Sequence, residues 1–460
     1  MQSGVHRLRC GIAGALLLAV FGSLVGAAEP TWKAGTAKRI ITPQKSIWMA
    51  GYGSRTAPAE GKQHDLLVRV LAIEDAEGHR GVIFASDLLG IPQGVYEEIC
   101  SALKAKHGLD RSQILLHASH THCGPALHHA LLDIYPMNDE QKTDVAEYTK
   151  WLTTQIIETI GEAIGQLQPA TLSRGIGYTD FAVNRRTNRE PDVPTLREQN
   201  LLMGPVDHTV PLLAVHGVDK KLKAVFFIYA CHNTTLSFQN WCGDYAGFAE
   251  MQLESQHPGA LALFGMGCGA DQNPLPRRTV ELCQQYGKQL ADEVESVLSQ
   301  PLTPVPPKLE MRHAMIPLTM DPLPPASRLE KMAAEPASYI QRWASRLLNE
   351  TKSGITHSHE YPFPIQAWRL GGDQLWISLG GEVVVDYALR IKAEFGDQTW
   401  VSAYVNDVMA YIPSKRVLLE GGYEGQSSMI VYGMPTERWS PDVEDRVMQG
   451  VTDVVKSLNR

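Results

Sequence analysis

The segment Ile114-Leu115-Leu116-His117-Ala118-Ser119-His120-Thr121-His122-Cys123-Gly124-Pro125 constrains the fold more than any other part of the chain. It begins as an apolar, strand-like run, and Gly124-Pro125 turns the chain where the run ends. Side chains two apart in an extended backbone point the same way, so His120 and His122 are expected to project together from a strand end. Two imidazoles on one side make a start on a metal site. The same spacing also occurs as two polar residues in a loop, so the rest of the chain must decide.

The first half of the chain alternates strand-like and helix-like segments. Residues 68–73 and 81–85 read as strands, 95–106 as an amphipathic helix stopped by Gly108, and 114–117 as the next strand. A long helical pattern over 144–167 ends at Gln168-Pro169. Strands follow at 222–229 and 260–264, then a helix at 280–298. The proline-rich stretch 301–307 cannot continue a helix and reads as a stiff linker, the best place for a sub-lobe boundary. Beyond it, 325–349 contains a helix, a strand at 375–379 leads into Gly380-Gly381-Glu382, and 383–395 and 443–458 read as helices. There is no internal repeat. The pattern predicts an α/β fold, a mixed sheet flanked by helices in one large domain over 29–460. A long polar loop at 184–208 carries several arginines, and loops of this kind often carry function.

Residues 1–28 read as a cleavable signal peptide. His6, Arg7 and Arg9 precede an apolar run at 11–25, which is short for a membrane span, and Gly26-Ala27-Ala28 supplies a small-residue cleavage site. The mature protein is therefore expected to be secreted or periplasmic. No later stretch approaches ~20 continuous apolar residues, so no transmembrane segment is expected after cleavage. The formal charge is −8, more negative without Arg7 and Arg9, and there is no basic run, which argues against nucleic acid as a partner. Of seven cysteines, six lie beyond the leader. No CxxC occurs, so a cysteine zinc site is not expected, and pairing cannot be deduced from spacing.

Asp87, His120, His122, His232, Asp271 and Glu382 all stand where predicted strands end. In sheets flanked by helices, sites gather at strand ends. Ends that carry three histidines and a glutamate form a metal-ligand set. Ser119-His120-Thr121-His122-Cys123-Gly124-Pro125 resembles the T-H-T-H-S-G-P signature of the neutral ceramidases, zinc amidases acting on ceramide. The similarity extends outward in chain order. Met49-Ala50-Gly51-Tyr52 resembles the family's M-x-G-Y, and 61–73 its G-x-H-x-x-x-x-R-A region. Asn184-Arg185 resembles N-R-S-P, and Gly380-Gly381-Glu382 resembles P-G-E. Tyr411-Ile412 with Tyr423-Glu424 resembles the Y-I…Y-E pair.

The resemblance implies one zinc ion bound by His120, His232, Glu382 and Tyr411. A water on such an ion has a pKa near 7 and would attack the amide. It implies His122 as proton donor or acceptor to the leaving group, or as a residue that orients a ligand. Arg185 and Tyr423 would hold the scissile carbonyl and stabilise the oxyanion. Two departures stand out. The family reads G-D-V-S-P-N near residue 270, with a serine close to zinc and substrate. This chain reads Gly269-Ala270-Asp271-Gln272-Asn273-Pro274. With no serine there, Asp271 or Gln272 is expected in its place, and Asp271 becomes the candidate general base. The family's C-terminal β-sandwich is not expected in a chain of this length. Asp244 is expected to support His232 from behind.

The sequence thus predicts a secreted zinc-dependent amidase acting on a lipid-like, ceramide-like N-acyl substrate. A zinc hydrolase of another bond (an ester, or a glycan or lipid linkage) and a non-catalytic member that kept the fold stay open. The metallo-β-lactamase pattern HxHxDH is excluded because Gly124 stands at the required aspartate. The amidohydrolase barrels are excluded because their later strand-end ligands are not found in order.

Overall fold

Alternation along individual strands sets the layering. In the strand Leu67–Glu74, Val68, Val70 and Ala72 face one core, whereas Leu71 and Ile73 face another. Ile114–Ala118 splits in the same way, with Ile114 and Leu116 against Leu115. So does Leu222–Tyr229, with Val225 and Phe227 against Phe226 and Ile228. Strands apolar on both faces must be covered on both. The helices Asp139–Gly165, Asp244–Gln256 and Val280–Leu298 cover one face. A second sheet covers the other, and its Trp368, Trp376 and Trp400 fill the space between the sheets. Burying a large apolar side chain stabilises by roughly 1.5–3 kcal/mol, so this layer fixes how the two sheets sit. The helix Val443–Ser457 packs on the outer face of the second sheet. The computed structural model describes residues 1, 2, 4, 31–131, 133–336 and 338–459. The expected signal peptide therefore lies almost wholly outside the described residues. Residues Thr31–Arg460 form one unit. No described helix is long and apolar enough to cross a membrane.

The larger sheet has nine strands, ordered Leu261–Met266, Leu222–Tyr229, Thr209–Gly217, Gln168–Tyr178, Trp32–Ile40, Leu67–Glu74, Arg80–Ser86, Ile114–Ala118, with Thr303–Val305 added on Gln168–Tyr178. It is mixed: the outermost pair at each end is parallel and the inner pairs are antiparallel. The smaller sheet runs Leu309–Thr319, Glu360–Leu370, Gln374–Leu379, Trp400–Ser402. The proline-rich stretch read as a linker thus supplies a short strand, after which the chain passes into the second sheet. That second sheet is an addition to the expected sheet-and-helix architecture.

Backbone hydrogen bonds tie the two edges of the large sheet to one segment. Ala403 N donates to Met266 O at one edge, and Asn406 N donates to Leu116 O at the other. Ala118 N also donates to Tyr404 O. Strands at opposite ends of the strand order are thereby held at a common place. Two small ladders complete it. Glu382-Val383 pairs in parallel with Tyr411-Ile412, setting Glu382 opposite Tyr411. Gln272–Pro274 pairs with Ala182–Asn184, setting Gln272 opposite Asn184. The first of these explains why the helix expected from 383 begins at Val385: Glu382 and Val383 are committed to the ladder.

Candidate active site

The extended-strand argument for His120 and His122 meets a different backbone. The strand stops at Ala118, and His120 sits at φ 62°, in the left-handed region that a non-glycine residue rarely occupies. Such strain persists where surrounding structure enforces it, and it clusters at functional sites. Here His120 N donates to Leu88 O, and its ring Nδ1 lies 2.6 Å from Leu89 O. The two imidazoles still meet through the turn, with Nε2 atoms 3.2 Å apart.

His232 follows the strand Leu222–Tyr229 near the opposite edge of the sheet. Its Nε2 is 3.1 Å from His120 Nε2, and its Nδ1 is 2.9 Å from Gly269 O. A carbonyl can only accept, so Nδ1 carries the proton in both His120 and His232. Their Nε2 lone pairs therefore face each other. Glu382 brings a third acceptor, its Oε2 lying 3.1 Å from His120 Nε2 and 3.2 Å from His232 Nε2. Tyr432 and Tyr404 both donate to this carboxylate. His120, His232, Glu382 and Tyr404 are buried, and Tyr432 is half-buried. His120, His122 and His232 form a group able to hold a metal ion.

His122 is held differently. Its Nδ1 faces Gly51, and a Cβ at Gly51, which sits at φ 100°, would lie only 2.4 Å from His122 Cγ. The Tyr52 ring lies 4.7 Å from the His122 ring. Among the described residues His122 Nδ1 has no hydrogen-bond partner, and its Nε2 faces the cluster.

Tyr411 Oη lies 3.2 Å from His232 Nε2 and accepts from Arg185 Nη2, also at 3.2 Å. Arg185 further donates from Nε to Glu424 (2.7 Å) and from Nη1 to Asn273 Oδ1 (3.2 Å). Tyr423 stacks edge-on against Tyr411, centroids 5.2 Å apart, under the Arg185 guanidinium. It is 42% exposed, so it marks the side from which the site is reached.

Asp271 does not join this group. Its Oδ1 accepts from Val385 N and its Oδ2 from Asn184 Nδ2. Both oxygens are thus spent on tying the loop to its neighbours, which corrects the expectation of a general base. Gln272 also points elsewhere, bonding Ala230 O and Asp207 N. Asn273 is the loop residue that reaches the site, and the sequence reading missed it. The signal was present: aligning Pro274 with the proline of the family pattern, rather than aligning the glycines, puts Asn273 in the serine's place. Asp244 likewise does not support His232, since its carboxylate caps Thr235 N and Leu236 N. Asp87 accepts from Leu67 N and faces the buried Arg69. Cys100, Cys123, Cys231, Cys242, Cys268 and Cys283 are buried free thiols.

Electrostatics separate the members of the cluster. Burial, aided by the Arg185 charge, pushes the His232 imidazole down to about 4. Burial and the two neighbouring imidazoles hold His122 well below its ordinary range. For Glu382, burial acts upward, but His120 and His232 overcome it and keep the carboxyl well below its usual value. Burial and the Glu382 charge push the Tyr411 phenol up. At neutral pH Glu382 is therefore a carboxylate, and His232 and His122 are neutral imidazoles.

Residues 32–266 match the family described as neutral/alkaline non-lysosomal ceramidase, N-terminal. The chain belongs to that family. The matched residues include His120, His122, His232 and Arg185; Asn273, Glu382, Tyr411 and Tyr423 lie beyond them. This ceramidase-family chain also resembles two solved structures. A neutral ceramidase from Pseudomonas aeruginosa is 19% identical, with TM-score 0.69 over 93% of this chain and 74% of its own. A ceramidase complexed with C2 is 19% identical, with TM-score 0.72 over 94% and 76%. At such identity the likeness establishes the fold. No curated protein matches the chain.

Proposed function

We propose that the chain is an exported zinc-dependent amidase that cleaves an N-acyl amide, with one zinc ion held by His120, His232, Glu382 and Tyr411. One observation carries this reading: the lone pairs of His120 Nε2, His232 Nε2 and Glu382 Oε2 converge within 3.1–3.2 Å of one another. Without a cation, three such acceptors repel. A zinc ion bound there would be held by these residues and would remove that repulsion. The Nδ1 protons donated to Leu89 O and Gly269 O fix both rings in the ligating tautomer. Zinc so held supplies a Lewis-acidic centre that brings the pKa of a water near 7.

The remaining residues divide the chemistry. Arg185 and Tyr423, both packed beside Tyr411, would hold the scissile carbonyl oxygen as charge develops on it. His122, a neutral imidazole, would take a proton from the attacking water at Nε2 and, as the imidazolium, hand it to the leaving amine. Tyr432 and Tyr404 fix the carboxylate of Glu382. Family membership supports the amide bond as target, and the leader at 1–28 supports export. The test is metal analysis of the purified protein, followed by assay on N-acyl sphingoid and N-acyl amino substrates before and after chelation. We expect one zinc per chain and turnover lost on chelation and restored by zinc. Zinc-loaded protein that turns over no N-acyl compound would remove the amidase reading.

A further inference from the structure

A cavity of about 530 Å³ opens beside the site and shares Arg185, Asn273 and Tyr423 with it. Its walls are unlike those an alkyl chain needs. They include four arginines, Arg185, Arg186, Arg189 and Arg277, and one aliphatic side chain, Leu275. Arg186 is clamped by Glu420 and Glu424, and Arg277 by Glu190. A hydrocarbon tail gains roughly 0.8 kcal/mol per CH₂ only when it leaves water for apolar surroundings. Pressed on these walls it would strip water from charged groups and return nothing. A polar group meets the reverse situation, since hydrogen-bonding atoms already line its path.

The sign of the charge follows from the pairing. Three lining glutamates, Glu190, Glu420 and Glu424, face four arginines. The arginine left over is Arg189, whose nearest carboxylate, Asp192, is 3.8 Å away and whose side chain is 83% exposed. A guanidinium fork in that state suits a carboxylate.

We propose that the substrate is an N-acyl amine whose polar portion carries a carboxylate, of the N-acyl amino acid class, and that this cavity receives it with Arg189 as the principal contact and Arg277 behind it. The proposal rests on the amidase reading for the bond that is cut, and it names what lies to one side of that bond. The serine-to-asparagine departure points the same way. Asn273 lines the cavity and accepts from Arg185 through its amide oxygen.

The experiment uses zinc-loaded protein and three compounds with one acyl chain: the N-acyl amino acid, its neutral carboxamide, and the N-acyl sphingosine. We expect kcat/KM for the carboxylate to exceed that for the carboxamide by at least about tenfold, with the sphingosine compound poorest. Arg189→Glu should abolish or invert the preference, and Arg277→Gln should narrow it. Equal use of carboxylate and carboxamide, or preference for the sphingosine compound, would overturn the proposal while leaving the amidase reading intact. If no compound is turned over, titration calorimetry with the same three decides separately. Saturable binding of the carboxylate compound, weakened by Arg189→Glu, sustains the cavity's assignment; its absence overturns it.

Discussion

His120 and His232 are locked by backbone carbonyls, Leu89 O and Gly269 O, whereas Arg185 beside them is locked by side chains alone: Glu424, Asn273 and Tyr411. The carbonyls are positions of the fold itself. They stay in place when neighbouring side chains change, so the histidine centre depends on the rings and little else. The arginine rim is a chain of mutually dependent side chains, each of which needs the others to stay put. Its partners come from three separate segments: Asn273 from the strand Gln272–Pro274, Tyr411 from the ladder with Glu382, and Glu424 from the helical turn Tyr423–Ser427. A site built in this way has a rigid centre and a rim open to respecification by a few substitutions.

The comparison can be broken at four points. His232→Ala should lose both stoichiometric zinc and turnover, by more than the roughly 10–100-fold that losing a supporting hydrogen bond costs, while the fold persists by circular dichroism. Retained zinc would show that the centre is not where the metal sits. Arg185→Lys keeps the charge but cannot reach three partners at once; kcat should fall about 100-fold or more with zinc content unchanged. A matching loss of zinc would mean that rim and centre are one unit. Gly51→Ala forces a Cβ onto the His122 ring and a side chain into a positive-φ position, so kcat should fall at least about tenfold, with the acidic and basic limbs of the pH profile altered. The smallest effect concerns Asp271. Burial raises its carboxyl from 3.8 to about 6. Because the folded state binds that proton more tightly than the unfolded chain, the resulting stability is present below about pH 4 and lost as pH rises through about 6. Asp271→Asn should flatten that decline in thermal melts and leave the pH dependence of kcat unshifted. A kinetic limb near pH 6 that vanishes in the variant would restore Asp271 as a base.

Each part of the site was legible to a different degree. His120, His122 and His232 stood out because strand ends and residue type are local properties. Arg185, Glu382, Tyr411 and Tyr423 became visible only through motifs matched in order. Asp271 misled because a lone aspartate in a loop looks the same from sequence whether it faces a site or caps a backbone; Val385 N and Asn184, which settle its role, are distant in the chain. Asn273 was missed through a one-position choice of alignment.

The chain by itself determined the alternation of strand-like and helix-like segments, and it determined that histidines and a glutamate end those strands. Both follow from interactions within a few residues. Only the tertiary structure decided that these ends meet. His120 lies at one edge of a nine-stranded sheet and His232 next to the other. They come together because Ala403–Asn406 bonds to both edges and because Glu382 pairs in register with Tyr411. Such closure is a balance of packing and hydrogen bonds between segments hundreds of residues apart, which no local pattern encodes.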